Sequence, residues 1–196
     1  MNKGLIGAGI AALIIITCFV GSPGSKYSPA KISFANGKFV EMPFKIFGAH
    51  TYIRTLVNGQ KSIWMVDTGW TEGAIADNLV KGLPGKRICY TDANTHICTK
   101  RYNVKGLELL DKNDHPAAKV DQFQAMGLDK KDKFANNQGG TLGFEIFKNY
   151  VLKFDYKGNR LTVYDPEYFD KNRDDLTCGF NLVDAEAEGH TFRVVT

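Results

Sequence analysis

The chain has 196 residues, of which 43% are hydrophobic and 23% are charged, and it contains only 4 cysteines. This ordinary globular composition argues against a disordered, collagen-like or disulfide-framework protein. The formal charge of +4 is weak and the basic residues are scattered, so nucleic acid is not expected as a partner. The length allows one medium-sized domain but not two full-sized ones.

The chain begins with an apolar segment. Residues 5–20 carry no charge, follow Lys3 and precede a turn-rich stretch. A run of this length is short for a membrane-spanning helix and is typical of a secretory signal. We therefore assign residues 1–30 to a signal peptide or, alternatively, to an uncleaved membrane anchor. The protein is expected to be exported, periplasmic or secreted, with membrane contact only through this segment.

The strongest local signal lies at residues 50–66. Two β-rich runs flank Asn58-Gly59 there. This dipeptide favours a type I′ turn, because both central positions of that turn need positive φ. We expect a tight hairpin whose second arm leads directly into Asp67.

The elements that follow are predicted to be short. A helical turn is expected at 74–81, a short segment at 102–110, a helix at 144–149, and a closing hairpin at 150–164. Many short strands with little helix favour a mostly β fold, either a small barrel or a sandwich.

Three cysteines follow the leader, at positions 89, 98 and 178. A hairpin about Ala93-Asn94 would place Cys89 directly opposite Cys98, and an exported protein can hold a disulfide there. Two half-buried free thiols are the competing interpretation. With His96 the same pair would offer metal ligands, but the fourth ligand is unassigned and no metal is expected. Cys178 has no partner that the sequence identifies.

One tripeptide stands above the background. Asp67-Thr68-Gly69 ends the apolar strand at 63–66, so the strand carries a carboxylate into a tight turn. Two such turns facing each other hold two carboxylates on one water. Because like charges cannot both ionise cheaply, one carboxylate acts as general base and the other as general acid. Alone, the tripeptide is weak evidence, since most such turns merely end a strand.

Residues 39–70, followed by 140–165, resemble the retropepsin-like aspartyl proteases of bacteria. In that family an apolar strand precedes the Asp-Thr-Gly loop, and a later Leu-Gly segment packs beside the loop before a short helix and a hairpin. The resemblance implies a single-lobe acid-protease β-barrel at 31–170 with one or two short helices. It also implies roles for individual residues: Asp67 as the catalytic carboxylate, Thr68 and Gly69 as support for its loop, and Trp70, Leu142 and Gly143 as lining of the cleft.

Two positions depart from the family pattern. Trp70 stands where a small residue is usual, so an indole would either line a substrate pocket or obstruct it. Gln138-Gly139 replaces the acidic residue that is often found before the Leu-Gly segment. The hairpin at 88–98 lies where a flap over the cleft is expected, but it lacks a glycine-rich tip, and a plain surface hairpin is the alternative.

A second Asp-Thr-Gly or Asp-Ser-Gly is missing from the sequence. The direct inference is a homodimer in which each chain gives one Asp67 across a two-fold axis. A faint repeat offers another source, since residues 44–52 recur loosely as 180–192. Residues 171–196 are therefore either a C-terminal extension with a terminal strand or the start of a second lobe.

Together these features predict an aspartic endopeptidase that acts on a peptide or protein substrate through paired Asp67 carboxylates, with no metal or organic cofactor. The alternative is a catalytically silent envelope module that keeps the same fold to bind peptide or protein. Trp70 and the single catalytic loop motivate that alternative. His-Glu-x-x-His and Gly-x-Ser-x-Gly motifs are both missing from the sequence.

Overall fold

The computed structural model describes residues 15–16, 30–70, 72–92, 95–128, 139–177, 182–187 and 190–195. Most of them lie in β-strands. The strands are β1 Ile15–Ile16, β2 Ile32–Phe34, β3 Phe39–Phe47, β4 His50–Val57, β5 Gln60–Asp67, β6 Gly73–Ala76, β7 Gly85–Asp92, β8 Thr95–Leu110, β9 Pro116–Leu128, β10 Gly140–Gly143, β11 Val151–Asp155, β12 Arg160–Tyr164, β13 Leu182–Ala187 and β14 His190–Val195. The helices are α1 Phe144–Phe147, α2 Pro166–Lys171 and α3 Arg173–Thr177, with a 3-10 helix at Asp77–Val80.

The mostly β fold with few short helices is confirmed. One or two short helices were expected in the lobe at 31–170: α1 lies within it, α2 ends one residue beyond it, and α3 follows. Both α2 and α3 come after the closing hairpin. Asp165 caps α2 by accepting the N–H of Tyr168 at 3.1 Å, and Pro166 occupies the first turn, where its missing N–H costs no hydrogen bond.

One long strand path forms the main body. Its order is β11-β12-β3-β4-β5-β10-β6-β9-β8-β7, and β4 also pairs with β8. This additional pairing brings the path back on itself, so β4, β5, β10, β6, β9 and β8 enclose the main hydrophobic core. Trp64, Leu107 and Leu142 are fully buried there. Burying each such side chain contributes roughly 1.5–3 kcal/mol, which holds the strand ends around the core in place.

Both predicted hairpins form. Asn58 and Gly59 have φ of 51° and 75°, as a type I′ turn requires, and they join β4 to β5. The β11–β12 hairpin closes through residues 156–159, where Asp155 accepts the backbone N–H of Gly158 at 2.8 Å. The short helix expected after Gly143 is α1.

Two expectations from the sequence differ from the structure. Residues 74–76 belong to strand β6, and only the following turn is helical, because β6 pairs with β10 on one side and β9 on the other. Strand β8 is 16 residues long, where a short segment at 102–110 was expected, and it pairs with the 13-residue β9. Pairing on both edges overrides local preference in such apolar runs.

Strands β13 and β14 begin their pairing as β3 and β4 do. His190 pairs with Ala187, as His50 pairs with Phe47. The rest of the expected repeat is out of register, because β13 begins at Leu182, which pairs with Val195 at the far end of the hairpin. Strand β14 also pairs with β1, which lies within the predicted leader.

Apart from β1 and the buried Ala30, the residues of the predicted leader lie outside the described part of the chain, and so does Cys178. Among the described residues, no helix has the length and apolar character needed to cross a membrane.

Candidate active site

Asp67 lies where three strand ends meet. Strand β10 is inserted between β5 and β6, parallel to β5 and antiparallel to β6. In this register Gly143 lies beside Asp67. The chain leaving β5 must therefore cross over the end of β10 before it can return as β6. We call that crossing segment, of which residues 67–70 and 72 are described, the catalytic loop, after the role that the sequence predicts for Asp67.

Gly143 lies directly under the catalytic loop. A Cβ at this position would lie 2.8 Å from the carbonyl oxygen of Trp70 and closer still to the carbonyl of Glu72. The backbone N–H of Phe144 donates to the same Trp70 oxygen at 2.7 Å. The contact holds the loop against the start of α1, and only glycine allows the two backbones to approach this closely.

The start of β10 is equally crowded. A Cβ at Gly139 would meet the indole of Trp64, and one at Gly140 would meet the backbone of Ala74. The Gly139 N–H donates to Ile63 at 2.7 Å, and its carbonyl accepts from Ala76 at 2.9 Å. Gly139 therefore lets the chain that enters β10 pass over the buried Trp64.

The Asp67 carboxylate is half-buried, and its orientation is set locally. Its Oδ1 accepts the backbone N–H of Gly69 at 3.0 Å. The backbone N–H of Trp70 also donates to the backbone carbonyl oxygen of Asp67, at 3.4 Å. Thr68 and Gly69 are exposed, whereas Trp70 is half-buried. The loop therefore presents one oriented carboxylate and an open face to its surroundings.

A second contact that restrains the catalytic loop was not predicted from the sequence. Arg101 of β8 donates through Nε to Glu72 Oε2 at 3.0 Å and through a second nitrogen to Oε1. Both side chains are 24% exposed, so this two-point ion pair is shielded enough to restrain the loop. No local spacing links the two residues, because they lie far apart in the chain.

The β7–β8 hairpin contains residues 88–98, for which the sequence predicts either a flap or a plain surface hairpin. Arg101 pairs with Lys86, and Thr99 with Ile88, so these residues share a face. That face is turned toward the catalytic loop, because Arg101 contacts Glu72.

Near the base of the hairpin, burial and the neighbouring Asp77 raise the pKa of Tyr102. The tyrosine therefore stays neutral over the ordinary working range.

Cys89 and Cys98 are joined by a disulfide. The two residues are direct cross-strand partners, and both are exposed. The bond links the two arms of the β7–β8 hairpin beyond its base.

An apolar edge adjoins the catalytic loop. Between β3 and β4, Phe47 pairs with His50. Between β4 and β5, Thr51 pairs with Val66, and extending that register by one residue places His50 beside Asp67. Phe47 is 60% exposed and Ile46 is 48% exposed. Large apolar side chains with this much exposure at a strand edge suit contact with another molecule.

The predicted site residues separate into two layers. Asp67, Thr68, Gly69 and Trp70 are together on the catalytic loop. Leu142 is fully buried in the main core, and Gly143 is covered by the loop. Both therefore support the loop from beneath, which differs from the cleft-lining position expected for them.

No protein-family model and no curated protein matches the sequence. Solved structures similar to this chain include a retropepsin-like aspartic protease from Rickettsia conorii, with 15% identity, a TM-score of 0.44, and coverage of 72% of this chain and 97% of that one. An aspartic proteinase from Irpex lacteus has 12% identity, a TM-score of 0.43 and coverage of 80% and 57%. Basic 7S globulin from soybean has 11% identity, a TM-score of 0.38 and coverage of 80% and 51%.

The chain thus spans about half the length of the last two structures. Two of the three similar structures are aspartic proteases by name.

Proposed function

We propose that this chain is an aspartic endopeptidase whose catalytic carboxylate is Asp67. The observation that carries the proposal is the insertion of β10 between β5 and β6, which clamps the catalytic loop over Gly143. A turn that merely ends a strand needs no such support. Here the loop is held from below by Phe144 and from the side by Arg101, while its carboxylate stays accessible.

The proposed chemistry needs a second carboxylate. Within the described part of the chain, Glu72 is the nearest acidic residue along the loop, and its carboxylate is held by Arg101. We therefore assign the second carboxylate to Asp67 of another copy, in a homodimer. The exposed face of Thr68 and Gly69 and the apolar edge at Phe47 support contact with a second copy on this side.

In the proposed reaction the two aspartates share one proton. The ionised carboxylate accepts a proton from water as the water oxygen attacks the peptide carbonyl carbon. The protonated carboxylate donates to the carbonyl oxygen. The first carboxylate, which now carries the proton from water, gives it to the amide nitrogen, while the other carboxylate takes a proton back from a hydroxyl of the diol intermediate. The C–N bond then breaks and releases an acid and an amine, with one proton again shared by the two aspartates. The Gly69 N–H fixes Asp67 Oδ1 for this role.

The test is Asp67→Asn in the full chain, assayed with a peptide library from acidic to neutral pH. We expect cleavage to fall by at least about 1,000-fold, because the amide cannot act as the general base. Asp121→Asn, at an exposed position on β9, is the matched control and should retain activity. If the Asp67 variant still cleaves peptides at the parent rate, the proposal is wrong.

A second candidate function is a catalytically silent binding module, and Trp70 is the observation that favours it. The indole is half-buried on the loop that carries Asp67, where bulk reduces the room for a substrate. The mass of the native particle distinguishes the two functions. A stable dimer supports the endopeptidase, whereas a monomer that binds peptide without cleaving it supports the module.

We further propose export, on the basis of the apolar residues 5–20.

A further inference from the structure

Three potential metal ligands cluster on the β7–β8 hairpin, outside the catalytic loop. The ligand atoms of Cys89, His96 and Cys98 all lie within 4.8 Å of one another, and all three residues are exposed. Nε2 of His96 lies 3.5 Å from Sγ of Cys98. The proposed proteolytic reaction uses none of the three.

Strand geometry explains the cluster. Residues two apart on a strand point to the same side, so His96 and Cys98 share a face. The register places Cys89 opposite Cys98, on that same face. Arg101 and Thr99 point to the opposite face of the hairpin, on which Arg101 contacts Glu72. All three potential ligands are exposed to solvent.

The geometry points to a metal site that forms when the Cys89–Cys98 disulfide is reduced. Two thiolates and one imidazole are ligands preferred by Zn²⁺ and related soft divalent ions. Around a tetrahedral zinc ion, Zn–S and Zn–N distances of about 2.3 and 2.0–2.1 Å place sulfur and nitrogen about 3.5 Å apart. His96 and Cys98 already have this separation, at 3.5 Å.

Reduction of the disulfide and binding of the metal together conserve electrons and protons. A dithiol reductant supplies two electrons and two protons, which convert the disulfide into two thiols while the reductant becomes a disulfide. The metal then displaces the two thiol protons and binds three protein ligands. The fourth position is taken by water, which makes this an open site of low ligand number. In the oxidised hairpin the sulfurs are bonded to each other, so the cross-link and the metal exclude one another.

The neighbouring charges favour this exchange. Arg87 and Lys100 form the next cross-strand pair on the face that carries Cys89 and Cys98. No carboxylate among the described residues forms an ion pair with either of them. Cations beside a cysteine stabilise its thiolate, which is the form that binds metal. Exposure also leaves the disulfide accessible to a reductant.

The test is anaerobic titration of the full-length Cys178→Ser variant with Co²⁺, before and after reduction and removal of the reductant. That background leaves Cys89 and Cys98 as the thiols beyond residue 30. The reduced protein should bind one Co²⁺ with sulfur-to-cobalt charge-transfer bands and tetrahedral d–d bands, and Zn²⁺ should displace it. The oxidised protein should show none of these bands.

His96→Ala should weaken the affinity of the reduced protein by at least about tenfold, since it removes one of three ligands. His115→Ala, at another exposed histidine, is the matched control and should bind as the parent does. The proposal is overturned if the oxidised protein binds equally well, if the bands do not appear after reduction, or if His96→Ala binds as tightly as His115→Ala. The readout does not depend on proteolysis.

Discussion

Replacing Gly143 by alanine tests whether the catalytic loop is clamped by the strand beneath it. Gly143 has φ of −78° and ψ of 174°, an extended conformation that alanine adopts freely. Any loss of stability must therefore come from crowding. The new methyl carbon would lie 2.8 Å from the Trp70 carbonyl oxygen and closer to Glu72, where the neighbouring atoms belong to backbone and cannot rotate away.

The size of the effect follows from three contributions. Overpacking costs about 1–3 kcal/mol, and weakening the Phe144-to-Trp70 hydrogen bond costs about 1 kcal/mol. Alanine restricts the unfolded chain, which offsets about 0.4–1 kcal/mol. We expect a net loss of about 2 kcal/mol, or about 4–8 °C in Tm for a domain of this size. A loop displaced by about 1 Å should also lose about 100-fold in peptide cleavage.

The matched control is Gly106→Ala. Gly106 has φ of 72° and nothing within 4 Å of the position that a methyl carbon would take, so alanine there meets backbone strain without crowding. That strain costs about 1 kcal/mol. Thermal and urea unfolding of both variants give the comparison. If Gly143→Ala is as stable as the parent, or loses less than Gly106→Ala, the clamp does not exist as described.

Two further predictions concern charged groups. Glu72→Ala should lower the free energy of unfolding by about 2 kcal/mol, since it removes a partly buried two-point ion pair with Arg101, and Glu72→Gln should lower it less. Backbone hydrogen exchange in the catalytic loop and β8 should become faster in Glu72→Ala. An unchanged exchange pattern would contradict this. The Gly158 N–H and then the Arg160 guanidinium lower the pKa of Asp155. Its stabilisation is therefore present above the unfolded pKa of about 3.9 and is lost as the pH falls through the lower folded value. Asp155→Asn should lower Tm more at pH 7 than at pH 2, and equal losses at both would refute the linkage.

The parts of the fold that could be predicted are those encoded locally. Asn58-Gly59 specifies its own turn, because both residues must take positive φ. The apolar run before Asp67 is short, contiguous and followed by a turn signal, so strand β5 and the loop after it could be predicted together. The closing hairpin is similar, with alternating aromatic residues and a glycine in its turn.

The parts that could not be predicted depend on distant contacts. Residues 74–76 become a strand only because β9 and β10 pair with both of their edges. Glu72 and Arg101 meet through the packing of two separate elements, and neither residue type nor spacing marks them. Leu142 was expected at the cleft surface, but the insertion of β10 buries it in the core.

The insertion of β10 also has a consequence for how the protein is made. Gly143 pairs with Asp67 across about 75 residues of chain, a contact of long range that forms slowly. During synthesis, β5 leaves the ribosome well before the strand that must fit beside it. A nascent chain therefore carries its Asp-Thr-Gly sequence without the strand that holds the catalytic loop in place. Any hydrolytic capacity begins only after Gly140–Gly143 has been inserted, which delays activity until most of the chain has folded.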